Sequence, residues 1–349
     1  MSVFIGHRLI STTVFRRKSV LVFAFVLALT CFGFNPSAVN AKRPPKTASI
    51  VSEKSVRKYM NALAGDSMRG RGSATADELA AAKYIAAQLK ALGIKPAGDD
   101  DSYLQTVKFT RRTRGNATAQ PADAVTTNVV GIIRGRDRKL RKETILLSAH
   151  LDHLGVREGM TGDNIFNGAD DDASGVTAVL ELARALSRGR APRRTVVFAL
   201  FGSEEIGGYG ARYFQEHPPV PFESLVANLE FEMIARPDAA VAADTLWLTG
   251  YERSDLGPQL AAHGARLVAD PHPEQNFFRR SDNYVLARKG VVAHTVSSFG
   301  LHTDYHRPSD DLSHVDFKHM TDAIASMVKP VKWLVNDNFK PQWAKDGKP

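Results

Sequence analysis

The chain has 349 residues, of which 43% are hydrophobic and 24% are charged, and it contains one cysteine. This length and composition suit one large or two ordinary globular domains and exclude a wholly disordered or fibrous protein. A disulfide scaffold is also excluded, because one cysteine has no partner within the chain. The formal net charge of +9 raises the question of an anionic partner, which depends on where the basic residues lie.

Residues 1–41 have the pattern of a secretory signal peptide. Basic residues without any acidic one precede an apolar run from Val20 to Phe34, and a small-residue cleavage site ends at Ala41. A retained membrane anchor is the alternative, although the run is shorter than the roughly 20 residues of a spanning helix. Cleavage lowers the net charge from +9 to +5, because four basic residues are lost, and removes the cysteine. We therefore expect a secreted or periplasmic protein with no nucleic-acid partner and no stable membrane association.

The rest of the chain predicts a single α/β domain over residues 55–337, with an N-terminal helical extension. A flexible lead-in (42–54) precedes this domain and a C-terminal tail (338–349) follows it. Apolar residues spaced by three or four predict helices over 77–92, 175–186 and 315–335, the first capped by Thr75 or Asp77 and the last kinked at Pro330.

Short apolar, β-branched runs predict strands between and beyond these helices. They cover residues 128–133, 144–148, 195–201, 225–231, 246–249 and 291–296. Strands that are apolar on both faces and alternate with helices are typical of a mostly parallel sheet covered on both sides. The predicted fold is therefore an α/β/α sandwich with a central mixed, mostly parallel sheet.

Side chains of metal-binding types cluster where several predicted strands end. Ligands collect at the carboxyl ends of strands in such folds, so we expect these clusters to meet. Each cluster alone has an ordinary explanation, such as a helix cap or a solvated turn. Together they favour a divalent metal site, with zinc first and manganese or cobalt as alternatives. The clusters are His150 and Asp152, Asp170 to Asp172, Glu204 and Glu205, Glu232, and Tyr305 to Asp310.

Three carboxylates and two imidazoles are too many ligands for one zinc that must keep a position open for water. They suit two ions roughly 3.5–4 Å apart that share one bridging carboxylate. A further carboxylate that binds neither ion would then serve as general base. The sequence thus predicts two zinc ions per chain.

The ordered motifs are His-x-Asp at 150–152, Ala-Asp-Asp-Asp-Ala-Ser-Gly at 169–175, Ser-Glu-Glu-x-Gly at 203–207, Glu-Met-Ile at 232–234 and Tyr-His-x-Pro-x-Asp at 305–310. In this order they resemble the dinuclear zinc aminopeptidases of the M28 peptidase family, in particular exported bacterial members without an inserted protease-associated domain. Residues 66–71 and 280–284 extend the similarity, which covers about residues 55–335.

The resemblance implies a metal-binding role for five residues. His150 and Glu232 would bind one ion, Glu205 and His306 would bind the other, and Asp171 would bridge the two.

The position of Glu232 departs from the family pattern, which usually has aspartate there. Glu230 lies two residues earlier and could point to the same side of the strand, so it is the alternative ligand. We favour Glu232 because it directly precedes Met233 and Ile234 of the motif.

The resemblance also implies roles for residues beside the metals. Glu204 would be the general base and Tyr305 would hydrogen-bond the oxyanion. Asp152 would hold the imidazole of His150 in its tautomer, and Asp310 would support His306 in the same way. The implied activity is hydrolysis of the N-terminal peptide bond of peptides that have a free N-terminus.

Other functions are alternatives at this point. A carboxypeptidase or dipeptidase, or a glutaminyl cyclase with one zinc, would use a related fold, and a non-catalytic binding ectodomain is the alternative from another class. Asp170, Asp172 and Ser174 are expected to shape the loop around Asp171. The remaining histidines near the motifs are expected to be structural: His153, His294, His302, His314 and His319.

Overall fold

The computed structural model describes residues 50–111 and 122–349. The predicted signal peptide and most of the predicted lead-in lie outside these ranges. Within the described ranges, no helix has both the length and the apolar character needed to cross a membrane. The described residues belong to one compact unit.

A mixed β-sheet forms the centre of the described chain. Its order is β1-β3-β7-β4-β8-β11-β9-β10, and β2 also pairs with β3. The central strands β7, β4, β8 and β11 are mutually parallel, whereas β3 joins β7 and β9 joins β11 in antiparallel pairs. The described strands are β1 (Lys95–Pro96), β2 (Leu104–Arg111), β3 (Ala122–Ile133), β4 (Thr144–His150), β5 (Gly155–Val156), β6 (Ile165–Phe166), β7 (Thr195–Phe201), β8 (Leu225–Phe231), β9 (Leu246–Leu248), β10 (Leu267–Ala269) and β11 (Val292–Ser297).

Helices cover both faces of this sheet, which confirms the predicted α/β fold. One apolar core joins the sheet to α1, α2, α3, α5 and α7, and a second core joins the other face to α4 and α6. The described helices are α1 (Glu53–Leu63), α2 (Ala76–Ala91), α3 (Gly175–Ser187), α4 (Tyr209–Glu216), α5 (Leu256–Ala262), α6 (Asn283–Ala287) and α7 (Phe317–Leu334).

Local sequence accounts for the boundaries of the main elements. The Thr75 side chain accepts hydrogen bonds from the N–H groups of Asp77 and Glu78, so Thr75 is the cap of α2. Asp316 caps α7 in the same way, which delays the start of this helix to Phe317. Strand β3 extends well before residue 128, because its first half pairs with the edge strand β2. The alternating, half-exposed pattern of β2 was too weak to predict it.

The predicted C-terminal tail packs against the domain. Ala344 donates its N–H to the carbonyl of Arg253 at 2.7 Å, and the Trp343 indole donates to the carbonyl of Gly290 at 3.1 Å. The Trp343 ring lies 5.4 Å from the His294 ring, centroid to centroid. Packing of this partly buried indole against the domain explains why the last residues follow the surface of the domain.

His294 is a structural histidine, as predicted. Its ring is fully buried in β11, where Nε2 lies 2.7 Å from the Ser254 hydroxyl and Nδ1 lies 2.7 Å from the Thr249 carbonyl. Burial is the main cause that lowers the pKa of His294 to about 4, so the ring is neutral in the folded protein at neutral pH.

Stability should therefore fall in acid partly because of His294. Between pH 6.5 and pH 4 the unfolded state binds a proton that the folded state does not, so the free energy of unfolding drops as pH falls. We expect the stability advantage of the wild type over His294→Gln to shrink by about 2 kcal/mol from pH 7 to pH 5. Urea denaturation of both metal-free proteins at the two pH values measures this. A constant difference would contradict the assignment.

Candidate active site

The polar clusters meet at one edge of the sheet because β7, β4 and β8 are adjacent and parallel. His150 is the last residue of β4, while Glu204 and Glu205 follow β7 and Glu232 follows β8. An irregular turn over Ala169–Ser174, with non-helical backbone angles at Asp171 and Asp172, places Asp171 against the same edge, immediately before α3. The loop after β11 adds Tyr305 and His306.

Two groups of possible metal ligands share Asp171. The first group is His150, Asp171 and Glu232, and the second is His153, Asp171 and Glu205; within each group the ligand atoms lie within 4.8 Å of one another. His150 Nε2 is 3.0 Å from Asp171 Oδ1, so one carboxylate oxygen faces the first group. The other oxygen, Oδ2, faces His306 Nε2 at 3.2 Å.

His153 lies in this site, although its sequence context predicted a structural role. Its Nδ1 is 2.7 Å from Glu205 Oε1 and 3.8 Å from Asp171 Oδ2. His306 faces the same two carboxylates, with Nε2 3.1 Å from Glu205 Oε2. The His-x-x-His spacing of residues 150–153 directly after a buried strand was the signal that could have found it. The second group therefore has two imidazoles where one was expected.

The donor set fits divalent metal ions. Among the described residues, the buried atoms His150 Nε2, His153 Nδ1 and Glu205 Oε1 lack a well-formed hydrogen bond. Burial opposes the charged imidazole of His150, but the adjacent carboxylates of Asp152 and Asp171 outweigh it and hold its pKa well above the usual value. The carboxylates around His306 likewise raise its pKa to about 10 against the effect of burial. Protons on these imidazoles thus balance the negative charge of the clustered carboxylates. Bound metal ions would take over that role.

The turn that carries Glu204 and Glu205 is fixed by Asp152. Its carboxylate accepts the Glu204 N–H at 3.0 Å and the Glu205 N–H at 3.3 Å. The nearest acceptor to His150 Nδ1 is the carbonyl of Asp152 at 3.2 Å, with the carboxylate oxygen at 3.7 Å. The backbone carbonyl of Asp152 thus contacts His150, while its carboxylate holds the glutamate turn.

The loop around Asp171 is tied to the end of β8 by its neighbours, as predicted. The Asp172 carboxylate accepts N–H groups from His150 at 3.2 Å, Gly175 at 2.9 Å and Met233 at 3.2 Å. Asp170 accepts the Ala235 N–H at 2.7 Å. Side chains that bind no metal thus fix the relative positions of three ligand-bearing segments.

Asp310 does not support His306, which corrects the sequence-based expectation. Its two carboxylate oxygens accept the N–H groups of Asp170 at 3.0 Å and Asp171 at 3.1 Å. The chain between His306 and Asp310 turns back on itself, since the Asp310 N–H donates to the Arg307 carbonyl at 3.0 Å. That turn directs the carboxylate toward the loop of the shared Asp171.

The structure brings Glu232, rather than Glu230, together with His150 and Asp171. Burial is the main cause that raises the pKa of Glu232 to about 7. Glu230 is fully buried beneath the site, and neither of its carboxylate oxygens has a hydrogen-bond partner among the described residues. Burial raises the pKa of Glu230 well above its usual value, so it holds a proton.

A small pocket opens beside Glu232. Tyr305 forms one wall, and its ring stacks on the His306 ring at 3.8 Å. Burial and the nearby carboxylates raise the pKa of Tyr305, so its hydroxyl stays protonated. The other apolar walls are Met233, Trp247, Phe277 and Phe299.

The sequence profile of peptidase family M28 matches residues 128–329, which is more than half of the chain. The chain belongs to peptidase family M28. This membership agrees with the resemblance seen in the motifs. The matched span begins within β3, so α1, α2 and the segment between them lie outside it.

Characterised relatives of this M28 chain are longer proteins. The leupeptin-inactivating enzyme 1 of Streptomyces exfoliatus is 27% identical over 240 residues, which is 68% of this chain and 47% of that protein. A vacuolar membrane protease of Penicillium rubens is 28% identical over 229 residues, which is 60% of this chain and 22% of that protein. The chain therefore spans about half or less of the length of these relatives.

Solved structures with low identity share the fold. A zinc aminopeptidase from Bacillus subtilis superposes with a TM-score of 0.63 at 14% identity, covering 83% of this chain and 97% of that one. The glutaminyl cyclase of Porphyromonas gingivalis gives a TM-score of 0.59 at 17% identity, covering 82% of this chain and 100% of that one. At such identities these matches establish the α/β architecture alone.

Replacing His153 should weaken zinc binding. His153→Asn removes an imidazole that faces Glu205 and Asp171, and we expect zinc affinity to fall about 10- to 100-fold, as for groups that bind or orient metal ligands. Competition with a chromophoric chelator measures this affinity. His314→Asn is the matched control, because His314 lies at the exposed surface beside Asp311. Equal zinc affinity in the two variants would show that His153 has a purely structural role.

Proposed function

We propose that this M28 chain is an aminopeptidase that uses two zinc ions to hydrolyse the N-terminal peptide bond of peptides. The observation that carries the proposal is the pair of ligand groups that share Asp171. A shared carboxylate between two sets of donors is the arrangement expected of a two-metal hydrolase. His150 and Glu232 would hold one ion, and Glu205 with His306 and His153 would hold the other.

Glu204 is the residue we assign as general base. It lies next to Glu205 on the turn fixed by Asp152, and it belongs to neither ligand group. When bound, the zinc ions supply Lewis-acid polarisation and make a water molecule more acidic. Burial, reinforced by nearby carboxylates such as Asp282, raises the pKa of Glu204 well above its usual value. A raised pKa suits a group that takes a proton from the attacking water and gives it to the departing amine.

Tyr305 is placed to donate a hydrogen bond to the substrate. Its hydroxyl is protonated, and its side chain lines the pocket together with Glu232. A donor held in place before the reaction stabilises the negative charge that develops on the carbonyl oxygen. We assign Tyr305 this role.

The pocket beside Glu232 supports exopeptidase action. Its aromatic walls suit a single apolar side chain. Glu232, which lines the pocket, and the neighbouring Glu204 would attract the ammonium group of a free N-terminus. The N-terminal residue would thus occupy the pocket with its peptide bond at the metal site.

One observation favours a carboxypeptidase as the second candidate. Arg280 also lines the pocket, and its guanidinium lies 4.9 Å from the centroid of the Phe277 ring. A guanidinium at this position would pair with a C-terminal carboxylate. Glutaminyl cyclase activity is the third candidate because the Porphyromonas enzyme shares the fold.

Glu204→Gln should abolish turnover without loss of metal. We expect kcat to fall by about 10²- to 10⁴-fold, the usual contribution of a positioned general base. Elemental analysis should give two zinc ions per chain in the wild type and in the variant. Glu252→Gln is the control, since this glutamate is 75% exposed. Unchanged turnover in Glu204→Gln would remove it from the mechanism, and one zinc per chain in the wild type would favour the cyclase.

Blocking the substrate's amine should stop the reaction. We expect the zinc-loaded protein to cleave a leucine arylamide at least 100-fold faster than its N-acetylated form, because the acetyl group removes the charge that Glu232 and Glu204 would bind. Release of the arylamine is followed by absorbance. Equal cleavage of both compounds would reject the aminopeptidase, and cleavage of N-blocked dipeptides alone would support the carboxypeptidase.

A further inference from the structure

Arg71 is a fully buried arginine whose donors all bind backbone carbonyl groups. Nε donates to Leu151 at 2.9 Å, Nη1 donates to Leu63 and Asn167 at 2.7 Å each, and Nη2 donates to Gly168 at 2.9 Å. These carbonyls belong to the end of α1, the turn after β4 and the loop before Asp171. One guanidinium therefore joins three separate segments of the chain.

Two of these segments carry metal ligands. Leu151 directly follows His150, and Gly168 lies three residues before Asp171. Charged donors form stronger hydrogen bonds than neutral ones, and removal of the donor leaves buried carbonyls unsatisfied. The relative position of His150 and Asp171 therefore depends on the side chain of Arg71.

The backbone around Arg71 contacts the same turn. The His153 N–H donates to the Arg71 carbonyl at 3.1 Å, and the Ser73 N–H donates to the His153 carbonyl at 3.2 Å. The Ser73 hydroxyl also donates to the Asp152 carboxylate at 2.5 Å. This short strand-like pairing fixes His153 and Asp152 from the N-terminal side of the chain.

The conformation of this segment is strained, which indicates that its contacts hold it in place. Arg69, Gly70 and Arg71 have φ values of 48°, 65° and 49°, all in the left-handed region. Non-glycine residues are strained in that region and persist there only when the surroundings enforce the conformation. A Cβ at Gly70 would lie 2.3 Å from the carbonyl oxygen of Phe166, so only glycine permits this approach.

A second contact reaches the glutamate turn from α2. The buried carboxylate of Glu78 accepts hydrogen bonds from the hydroxyls of Thr126 at 2.8 Å and Ser203 at 3.1 Å. Ser203 directly precedes Glu204 and has a left-handed φ of 57°. The segment from Arg71 to Glu78 thus contacts the turns that carry His150, Asp171 and Glu204.

We propose that Arg71 is a positioning residue of the zinc site, and that the segment 66–78 is part of the catalytic unit although it lies outside the span that matches family M28. The inference rests on the proposed metal site. Arginine suits this role because its planar fork offers five donors in fixed directions. Lysine is compact and cannot reach all four carbonyls.

Arg71→Lys and Arg71→Met test the proposal in the full chain. We expect zinc affinity, measured by chelator competition, to weaken at least tenfold in both variants, as when groups that orient metal ligands are lost. In the loaded Arg71→Lys protein, kcat should fall more than tenfold while KM changes less than threefold, because the substrate pocket is intact. Arg57→Lys is the control, since Arg57 lies in α1 outside this segment, is 50% exposed and pairs with Glu53 at the surface.

The melting temperature of each metal-free variant separates positioning from stability. Zinc affinity and kcat within twofold of the wild type, together with a lower melting temperature, would overturn the proposal. Should the Arg71 variants fail to fold, Ser73→Ala removes only the bond to Asp152; weaker zinc binding would support the role of the segment, and wild-type values of affinity and kcat would overturn it. Because zinc affinity is measured without substrate, a wild type that cleaves no arylamide would reject the proposed activity while the result for Arg71 stands.

Discussion

One buried carboxylate, that of Asp172, holds together the elements on which the site depends. It accepts backbone N–H groups from His150, Gly175 and Met233, which lie at the end of β4, the start of α3 and the turn after β8. Adjacent parallel strands bring these segments to one edge of the sheet, but parallel pairing alone does not fix turns beyond the strand ends. A fully buried acceptor that satisfies three donors fixes them, because each donor would otherwise be left unpaired.

The same principle recurs around every ligand. Asp152 holds the turn of Glu204 and Glu205, and Asp310 holds the N–H group of Asp171. Carboxylates so concentrated in a buried site repel one another, and their desolvation is costly unless donors or positive charges compensate. Backbone N–H groups supply part of that compensation and the guanidinium of Arg71 supplies more. The M28 site is thus an acidic centre in which carboxylates outside the two ligand groups orient those within them.

Much of the fold could be predicted from the sequence. The buried strands β4, β7, β8 and β11 and the helices α2, α3 and α7 are long apolar patterns, and their predicted ranges agree with the structure to within a few residues. The elements that escaped prediction carry weak patterns. Strand β2 is half-exposed at the sheet edge, and α4, α5 and α6 have eight residues or fewer, too short for a clear helical period. A tail was predicted for the C-terminal residues because the surface on which Trp343 packs is distant in sequence.

The sequence by itself determined the chemistry: an α/β sheet, an ordered series of carboxylates and imidazoles at its strand ends, and membership of a metallopeptidase family. The tertiary structure decided which side chains meet. In the structure, His153 belongs to the second ligand group and Asp310 contacts the loop of Asp171 instead of His306. Glu232, rather than Glu230, lies beside His150. The reason is geometric, since these outcomes depend on the direction of turns after strands. Those directions are set by long-range hydrogen bonds that Arg71 donates and that Asp172 and Asp152 accept, and no local sequence pattern predicts them.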